Sequence, residues 1–176
     1  AKVTLISGKT NINPPMFADV INIESAKDMY NEVINNMDNC DILIKAAAVA
    51  DYTPSIFCDE KIKKSENDFH IELSRTKDIL KAIGEKKRSN QVICGFSMET
   101  SNLIENSKKK LIAKNCDMIV ANNLKDEGAG FGVDTNKISI ITKDSTIELD
   151  MMTKKQAGFE ILSHALGIYR NKEGKF

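Results

Sequence analysis

The stretch DILIKAAAVADYTP, residues 41–54, decides how this chain is interpreted. It opens as an unbroken apolar run, which is typical of a strand buried on both faces of a parallel sheet. Three alanines follow, and the stretch ends on an acid, an aromatic residue and a proline. Further strands are predicted at 3–7, 19–23, 91–98 and 118–123, with helical periodicity between several of them. This alternation predicts an α/β fold with a mostly parallel sheet that is covered by helices on both faces.

The helices are predicted from apolar residues that recur at helical spacing. The first follows Ser25, which can cap it, because Asp28 stands three residues further on. Two more are predicted over residues 77–88 and 101–115. The predicted strand 41–49 lies between the first helix and these two.

Three segments complete the predicted order of elements. Residues 137–150 favour a C-terminal β-hairpin. Residues 153–169 favour a last helix, and this helix is expected to bury its apolar residues, which include Leu162 and Leu166. Residues 53–70 contain a proline and a basic cluster and are predicted to form a flap.

Length and composition define the class of protein. The 176 residues suffice for one domain, spanning 1–176, with one sizeable core. Lys+Arg and Asp+Glu are both 25, and this zero net charge argues against a general nucleic-acid binder. No apolar run approaches the roughly 20 residues of a membrane span. The four cysteines form no C-x-x-C pair, so their spacing favours reduced thiols in the cytoplasm over a zinc site.

Ligands of parallel sheets bind outside the carboxyl ends of the strands, which here are residues 46–51, 95–99 and 121–123. Small residues at the first end let a flat ligand approach the backbone, and Asp51 can accept a hydrogen bond from it. The same residues also fit a packed strand end with an acid that caps a turn. Phe96, in the second end, can stack on a base or belong to the core. The strand ends alone leave both interpretations open.

The lysines of the helix 101–115 divide into two groups. At about 100° per residue, Lys110 and Lys114 lie beside the apolar side, whereas Lys108 and Lys109 point elsewhere. Two lysines four residues apart repel each other, and a triphosphate between them would remove that repulsion. The alternative is that both extend from the edge of the core into water.

A Rossmann-like nucleotide site opens with a strand, a Gly-rich turn and a helix N-terminus that hold phosphates. The sequence contains neither G-x-G-x-x-G nor a Walker A motif. Its first predicted strand, 3–7, matches the second strand of such a unit. We therefore expect a Rossmann-like three-layer αβα fold that lacks the first βα unit, which would bind phosphate.

Several motifs occur together in one order: AAAVADYTP, EKIKK, LSRTKDIL, CGFSMET, a lysine-bearing helix, DMIVANN and GFGVDTNKI. This combination resembles phosphopantothenoylcysteine synthetase, also called phosphopantothenate–cysteine ligase. In many bacteria this enzyme is the C-terminal half of a bifunctional coenzyme A biosynthesis protein. The resemblance covers nearly the whole chain, and the combination is far more specific than any single motif.

The resemblance implies a ligase that forms a C–N bond between an acid and an amino acid. CTP would activate the carboxylate of 4′-phosphopantothenate as an acyl-cytidylate, and the amine of cysteine would then displace CMP. Magnesium would accompany the nucleotide. The resemblance also implies a homodimer whose flap completes the site, and association with a phosphopantothenoylcysteine decarboxylase domain.

The resemblance also implies roles for individual residues. Lys61, the first lysine of KIKK, would be the catalytic flap lysine and would contact the substrate, neutralising developing charge. Ala47 and Ala48 would present backbone groups to the ligands, and Asp51 would bind the nucleotide. The remaining residues implied at the nucleotide site are Ser74, Arg75, Thr76, Lys77, Phe96, Lys110 and Lys114. No magnesium ligand is implied.

Departures from the family pattern qualify the expected activity. The family domain opens with a Gly-containing loop, a phosphate-binding Ser/Gly segment and an asparagine that acts on the acyl intermediate. None of these is in the sequence, so we expect this polypeptide alone to have little or no ligase activity. Ser97 and Met98 also replace small residues of the family pattern.

Two other classes of function compete with the ligase. An NAD(P)-binding reductase of similar architecture would need the Gly-rich fingerprint and a Tyr-x-x-x-Lys pair. Here the position four residues after Tyr30 is Ile34, and the position four residues after Tyr52 is Ile56, so neither tyrosine has the lysine that the pair requires. A non-catalytic dimerisation module would bind no nucleotide. A nucleotide-binding titration separates the three functions. Preference for CTP supports the ligase, preference for NAD(P) the reductase, and absence of binding the dimerisation module.

Overall fold

The main sheet of the protein has five strands. The structure is a computed structural model, and it describes residues 1–56, 58–61, 69–123, 125, 128–129 and 132–174. The strand order is β10-β9-β7-β6-β3. These strands are β3 (Ile42–Lys45), β6 (Val92–Glu99), β7 (Met118–Asn123), β9 (Ser139–Thr142) and β10 (Thr146–Glu148). β3, β6 and β7 are parallel, whereas β9 and β10 run antiparallel and form the predicted hairpin.

The chain divides into two compact units, whose residues mainly contact residues of the same unit. Unit 1 comprises Ala1–Asn35 and Ala48–Ile79, and unit 2, which contains the five-stranded sheet, comprises Asn36–Ala47 and Leu80–Phe176. The single domain that we expect from the sequence stays a prediction.

Side chains alternate across the main sheet, and each face is covered by helices. On one face Cys94, Val120 and Ile140 pack in the core cluster that contains the buried residues of α4 (Lys154–Lys172). The opposite face lies against α2 (Ile79–Lys86) and α3 (Leu103–Ala113). The three-layer αβα arrangement is therefore confirmed within unit 2.

Gly95, in the middle of β6, shows how tightly one of these layers packs. A Cβ atom there would lie 2.6 Å from Cδ2 of Leu80 on α2 and 3.0 Å from Cδ1 of Ile119. Gly95 is therefore used for the contact between helix and sheet.

The last helix corrects one prediction. α4 buries Ala157, Ile161 and Ala165 as expected, but the side chains of Leu162 and Leu166 remain 54% and 40% exposed. Both belong to the side of the helix that faces away from the sheet, because about 100° per residue separates them from the buried stripe. Helical spacing identified the helix correctly and overestimated how much of its surface is buried.

Asp117 joins three elements at the amino end of β7. Its Oδ1 accepts hydrogen bonds from Nζ of Lys87, at 3.2 Å, and Nζ of Lys172, at 2.7 Å. Its Oδ2 accepts a hydrogen bond from the N–H of Ile93 at 2.8 Å. The carboxylate is 12% exposed, so this network is largely buried and ties the ends of α2 and α4 to the sheet.

Unit 1 contains two strand pairs and most of the first helix, α1 (Ala26–Asn36). β1 (Val3–Ser7) and β2 (Ala18–Asn22) pair in parallel. β4 (Tyr52–Pro54) and β5 (Leu73–Arg75) pair antiparallel. Although the sequence of β1, VTLIS, is largely apolar, residues 3 and 4 are exposed and the rest of the strand is half-buried.

The predicted cap of α1 is confirmed. The N–H of Asp28 donates to Ser25 Oγ at 3.1 Å, and the N–H of Ser25 donates to Asp28 Oδ2 at 2.9 Å. The Oγ of Ser25 also donates to Asp28 Oδ2, at 2.7 Å, and this hydrogen bond and the one from the N–H of Ser25 lower the pKa of the Asp28 carboxyl. This reciprocal arrangement satisfies two N–H groups at the start of the helix.

Two predicted boundaries differ from the structure in the segments that concern function. The predicted strand 41–49 ends at Lys45, so Ala46 and the residues after it leave the sheet. The predicted flap, 53–70, begins inside β4, and its residues 57 and 62–68 lie outside the described residues.

A short antiparallel pair, β8 (Thr135–Asn136) and β11 (Met152–Thr153), precedes α4. Thr153 caps that helix, since its Oγ1 accepts a hydrogen bond from the N–H of Gln156. Among the residues that the structure describes, no helix is both long and apolar enough to cross a membrane.

Candidate functional site

The carboxyl end of β3 and the neighbouring part of β6 bring together several of the residues expected at the site. Lys110 extends from α3, and its Nζ donates to the main-chain oxygen of Phe96 at 2.7 Å. The Phe96 side chain packs at the margin of the core cluster and stays half-buried. Ala47, which follows β3, is exposed and its carbonyl oxygen accepts a hydrogen bond from Lys45 Nζ at 2.9 Å. Two ammonium groups therefore bind carbonyl oxygens where the end of β3 lies beside the middle of β6.

The burial of the α3 lysines agrees with the helical wheel. Lys110 and Lys114 are half-buried, whereas Lys108 and Lys109 are exposed. Lys114 ends the helix, where its N–H donates to the carbonyl oxygen of Lys110. The two lysines lie one helical turn apart, with Lys110 level with the middle of β6. Their role as nucleotide-binding residues stays a prediction.

Hydrogen bonds fix the first turns of α3 on the end of β6. Glu99 accepts hydrogen bonds from the buried Ser97 Oγ at 3.2 Å and from Asn106 Nδ2 at 3.3 Å. Asn106 Nδ2 also approaches the carbonyl oxygen of Ser101 at 3.3 Å. The position of Lys110 relative to the sheet is set in part by this network.

The second group of expected residues lies in unit 1. The N–H of Thr76 donates to the carbonyl oxygen of Asp51 at 2.9 Å, and Thr76 Oγ1 donates to that of Ala50 at 2.7 Å. Ser74 pairs with Thr53 in the β4–β5 ribbon. The structure thus brings the ADYTP and SRTK motifs, which are about 25 residues apart in sequence, side by side.

Aromatic rings hold the two cations of the SRTK motif. The guanidinium carbon of Arg75 lies 5.8 Å from the centre of the Tyr52 ring, and Nζ of Lys77 lies 4.5 Å from the centre of the Tyr30 ring. Both distances are typical of cation–π contacts. The sequence reasoning did not anticipate either contact. The pairing of β4 with β5 could have suggested the first, but nothing local linked Tyr30 to Lys77.

Three further expected residues of unit 1, namely Ala48, Asp51 and Lys61, are all exposed. Lys61 lies outside regular secondary structure, and the three residues after it in KIKK fall outside the described residues. The catalytic role of Lys61 and the ligand contacts of Ala48 and Asp51 stay predictions.

Lys45 is the residue at this end of the sheet that the sequence reasoning missed. It is the only charged side chain of the β3 strand ILIK, and it stands directly before the three alanines. The interruption of an apolar strand by a lysine at its carboxyl end was the signal that could have identified it.

All four cysteines are free, and that they are reduced in the protein stays a prediction. Burial raises the pKa of Cys94 and of Cys116 to about 12. In the part of the chain that the structure describes, no group of three or more His, Cys, Asp or Glu side chains could hold a metal ion.

A groove of about 1060 Å³ lies elsewhere in unit 2, at the amino ends of β6 and β7. Lys87, Asp117, Lys143, His164 and Lys172 contribute to its lining. None of the residues expected to bind nucleotide or substrate lines it. We therefore place the candidate site at the carboxyl end of the strands.

Comparison with protein families gives one match over most of the chain. The family described as DNA/pantothenate metabolism flavoprotein C-terminal domain matches residues 1–168. The chain therefore belongs to this family, and the resemblance identified in the sequence is confirmed.

The coenzyme A biosynthesis bifunctional protein CoaBC of Bacillus subtilis (strain 168) is 48% identical to the chain over 164 residues. The similarity covers 92% of this chain and 40% of CoaBC. The chain thus spans less than half the length of this relative.

Two solved structures show the same fold. The C-terminal domain of a coenzyme A biosynthesis bifunctional protein CoaBC has a TM-score of 0.79 and 39% identity, covering 99% of this chain and 76% of that one. A Cab2 mutant in complex with phosphopantothenate-cysteine has a TM-score of 0.69 and 15% identity, covering 90% of this chain and 55% of that one. The first of these likenesses confirms the α/β architecture expected from the sequence.

Proposed function

We propose that this chain is the ligase domain that joins cysteine to 4′-phosphopantothenate in coenzyme A biosynthesis, with CTP as the activating nucleotide. The observation that carries the proposal is the contact of half-buried Lys110 with the carbonyl oxygen of Phe96. It holds a cation beside the carboxyl end of β3, and parallel sheets bind ligands at the carboxyl ends of their strands. Membership of the family and the coenzyme A biosynthesis role in the name of CoaBC support the same conclusion.

The proposed reaction has two steps. A carboxylate oxygen of phosphopantothenate attacks the α-phosphorus of CTP, which forms an acyl-cytidylate and releases pyrophosphate. The amine nitrogen of cysteine then attacks the acyl carbon. The bond from that carbon to the phosphate oxygen breaks, CMP leaves, and the nitrogen loses a proton as the amide forms. Both steps bring anionic groups together, so positive charge in the site lowers their barriers.

Three lysines supply this charge in the proposal. Lys110 and Lys114 bind the phosphates of the nucleotide, and Lys61 neutralises the charge that develops as the acyl-cytidylate forms. Asp51 accepts hydrogen bonds from the nucleotide, and Ala47 presents its backbone to the ligands. The exposure of Lys61 and Asp51 leaves both side chains accessible to a ligand.

Magnesium fits this site as a companion of the nucleotide rather than as a resident ion. Mg²⁺ that travels with a triphosphate needs one or two protein carboxylates, because phosphate oxygens and water complete its shell. The exposed carboxylate of Asp51 could supply one such ligand. Bound in this way, the ion would neutralise phosphate charge.

The proposed assembly is a homodimer that associates with a phosphopantothenoylcysteine decarboxylase domain. The chain matches 40% of the bifunctional relative, which leaves room there for a second domain. The exposed apolar side chains of the β4–β5 segment, which include Phe69, Ile71 and Leu73, are compatible with a dimer contact.

The test is release of CMP from CTP in the presence of phosphopantothenate, cysteine and magnesium. It is run on this chain and on the chain extended by any residues that its gene encodes before Ala1. If such an extension exists, we expect the extended chain to release CMP only with both substrates present, and this chain alone to release little or none. Lys61→Gln should abolish acyl-cytidylate formation, whereas the control Lys143→Gln, in the β9–β10 turn, should not.

Binding titrations separate the competing functions. Preference for CTP over NADPH supports the ligase, and preference for NADPH would identify a reductase instead. If the protein, with any residues that its gene encodes before Ala1, binds neither nucleotide, the dimerisation module becomes the better hypothesis.

A further inference from the structure

The side chain of Asn122 lies at the carboxyl end of β7, on the face of the main sheet that α4 covers. Met118 and Val120 of the same strand pack in the core cluster on that face, and side chains two residues apart along a strand point the same way. Asn122 is only 7% exposed, so its amide is largely removed from water. Among the residues that the structure describes, none forms a hydrogen bond with this amide.

A second amide with an unpaired oxygen lies on the short strand β8. Asn136 stands directly opposite Met152 in the antiparallel pair of β8 and β11, and directly opposed side chains lie on the same face. Met152 packs against the core cluster, so Asn136 faces the α4 side of the sheet as well. Its Oδ1 is buried and accepts no hydrogen bond from the described residues. The ladder between β7 and β9 ends at the pair Ala121–Ser139, so Asn122 and the segment before Ser139 meet at the same end of the sheet.

Unpaired amides inside a protein indicate a partner that comes from outside the chain. About nine-tenths or more of the buried polar groups in folded proteins have a hydrogen-bond partner. A buried amide without one has lost its hydration and gained nothing in return. The side chain of asparagine offers one acceptor, Oδ1, beside the two donors on Nδ2. A ligand with a donor next to an acceptor would therefore satisfy Asn122.

Phe96 supplies an apolar wall beside Asn122. It lies on the same face of the neighbouring strand β6, where it packs at the margin of the core cluster and stays half-buried. Met98 of β6 pairs with Asn122, and Phe96 precedes Met98 by two residues. At roughly 4.8 Å between strands and 3.3 Å per residue, about 8 Å separates the Cα atoms of Phe96 and Asn122. A planar ring that stacks on Phe96 can therefore turn its edge towards the Asn122 amide.

We propose that Asn122 is a specificity-determining residue that binds the edge of the nucleotide base. This inference rests on the proposed function, in which CTP activates the acid. Oδ1 of Asn122 accepts a hydrogen bond from the exocyclic amine of cytosine, and Nδ2 donates to the ring nitrogen N3 beside that amine. The base thus provides the donor and the acceptor that the amide does not find among the described residues, while Phe96 stacks on the face of the ring.

The experiment is a calorimetric titration, in the presence of Mg²⁺, with two nucleotides that differ by one amino group. These are CTP and the triphosphate of 2-pyrimidinone riboside, whose base carries hydrogen in place of the exocyclic amine. The titration compares Asn122→Leu with the unmodified protein, both with any residues that the gene encodes before Ala1. Leucine is close to asparagine in size and has no polar side-chain atom, so the variant removes the amide and leaves little empty space.

We expect the Kd for CTP to rise about tenfold in Asn122→Leu, because two hydrogen bonds to the base are lost. The unmodified protein should bind CTP more tightly than the analogue, and the variant should bind the two nucleotides alike. The affinity for inorganic tripolyphosphate should not change, since it carries no base. Asn171→Leu, an exposed position near the other end of α4, is the control and should match the unmodified protein.

The free energy of unfolding separates this role from a structural one. Asn122→Leu removes no hydrogen bond to the described residues, so the variant should be at least as stable as the unmodified protein in urea denaturation. A loss of stability together with an unchanged preference for CTP over the analogue would overturn the role of Asn122 and leave the use of CTP intact. Failure of the unmodified protein to bind CTP would overturn the proposed function, whatever the stability of the variant.

Discussion

The ammonium group of Lys110 lies 2.7 Å from the main-chain oxygen of Phe96, which joins α3 to β6 at the candidate site. The two residues are 14 positions apart and come from separate motifs. Their contact places a half-buried cation beside exposed small residues at the end of β3. This contact links the fold to the proposed chemistry, because a positive charge at this end of the sheet can bind the phosphates of a nucleotide.

Replacing Lys110 by methionine should weaken nucleotide binding and leave the fold intact. Methionine keeps most of the apolar stem and removes the charge, so the dissociation constant for CTP should rise by about tenfold or more. Calorimetric titration with CTP measures it. Lys109→Met is the matched control, since Lys109 is exposed on the same helix and pairs with Glu105. Equal affinities in the two variants would remove Lys110 from the site.

Adding a methyl group at Gly95 should destabilise the protein, whereas adding one at Gly167 should not. The new Cβ of Gly95→Ala would lie 2.6 Å from Leu80 Cδ2, so we expect a loss of about 1–3 kcal/mol. At Gly167, inside α4, the Cβ meets no atom within 4 Å, and alanine should stabilise by about 0.5–1 kcal/mol.

Urea denaturation of both glycine variants gives the free energy of unfolding. A Gly95→Ala protein as stable as the unmodified chain would show that α2 does not pack on β6 as described.

Removing the Asp117 carboxylate should cost more stability than removing an exposed one. Asp117→Ala leaves two largely buried lysines and one N–H group without this acceptor, and we expect a loss of about 3 kcal/mol. Glu105→Ala, which breaks an exposed pair on α3, should leave the free energy of unfolding nearly unchanged. Chemical denaturation measures both, and similar losses in the two variants would contradict the buried network.

The cysteines should react with iodoacetamide in an order that follows their burial. At pH 8 Cys94 and Cys116 stay protonated and shielded, because burial raises the pKa of each to about 12. Cys58 is exposed and should react first in the native protein. Mass spectrometry of peptides after timed alkylation shows the order, and rapid labelling of Cys94 in folded protein would contradict its buried position.

The raised pKa values of the same two thiols predict how the free energy of unfolding changes at high pH. Their folded pKa values lie above the ordinary thiol value of 9.0, so the unfolded chain loses its protons first. The free energy of unfolding should therefore be unaffected by these groups below about pH 9 and should fall as the pH rises towards 12. A double Cys94→Ala, Cys116→Ala variant should lose this part of the pH dependence.

Local sequence patterns predicted a structural feature correctly where the interaction that forms it joins residues only a few positions apart. The Ser25–Asp28 cap was predicted from two residues three positions apart, and the structure confirms both hydrogen bonds. The alternation of strands and helices likewise predicted the three layers of unit 2. Local patterns were insufficient for Leu162 and Leu166, because helical spacing does not tell how many sides of a helix are covered.

The sequence by itself determined the family and the α/β architecture, because these depend on residue type and spacing, and it supplied the predictions of which residues bind ligands. Only the tertiary structure decided which of them meet. It placed Lys110 on the carbonyl oxygen of Phe96, Thr76 on that of Asp51 and Lys77 over Tyr30. It also assigned Gly95 to packing against Leu80 and revealed Lys45 at the sheet edge. The physical reason is that these contacts depend on strand register and helix placement, which arise from packing between distant segments.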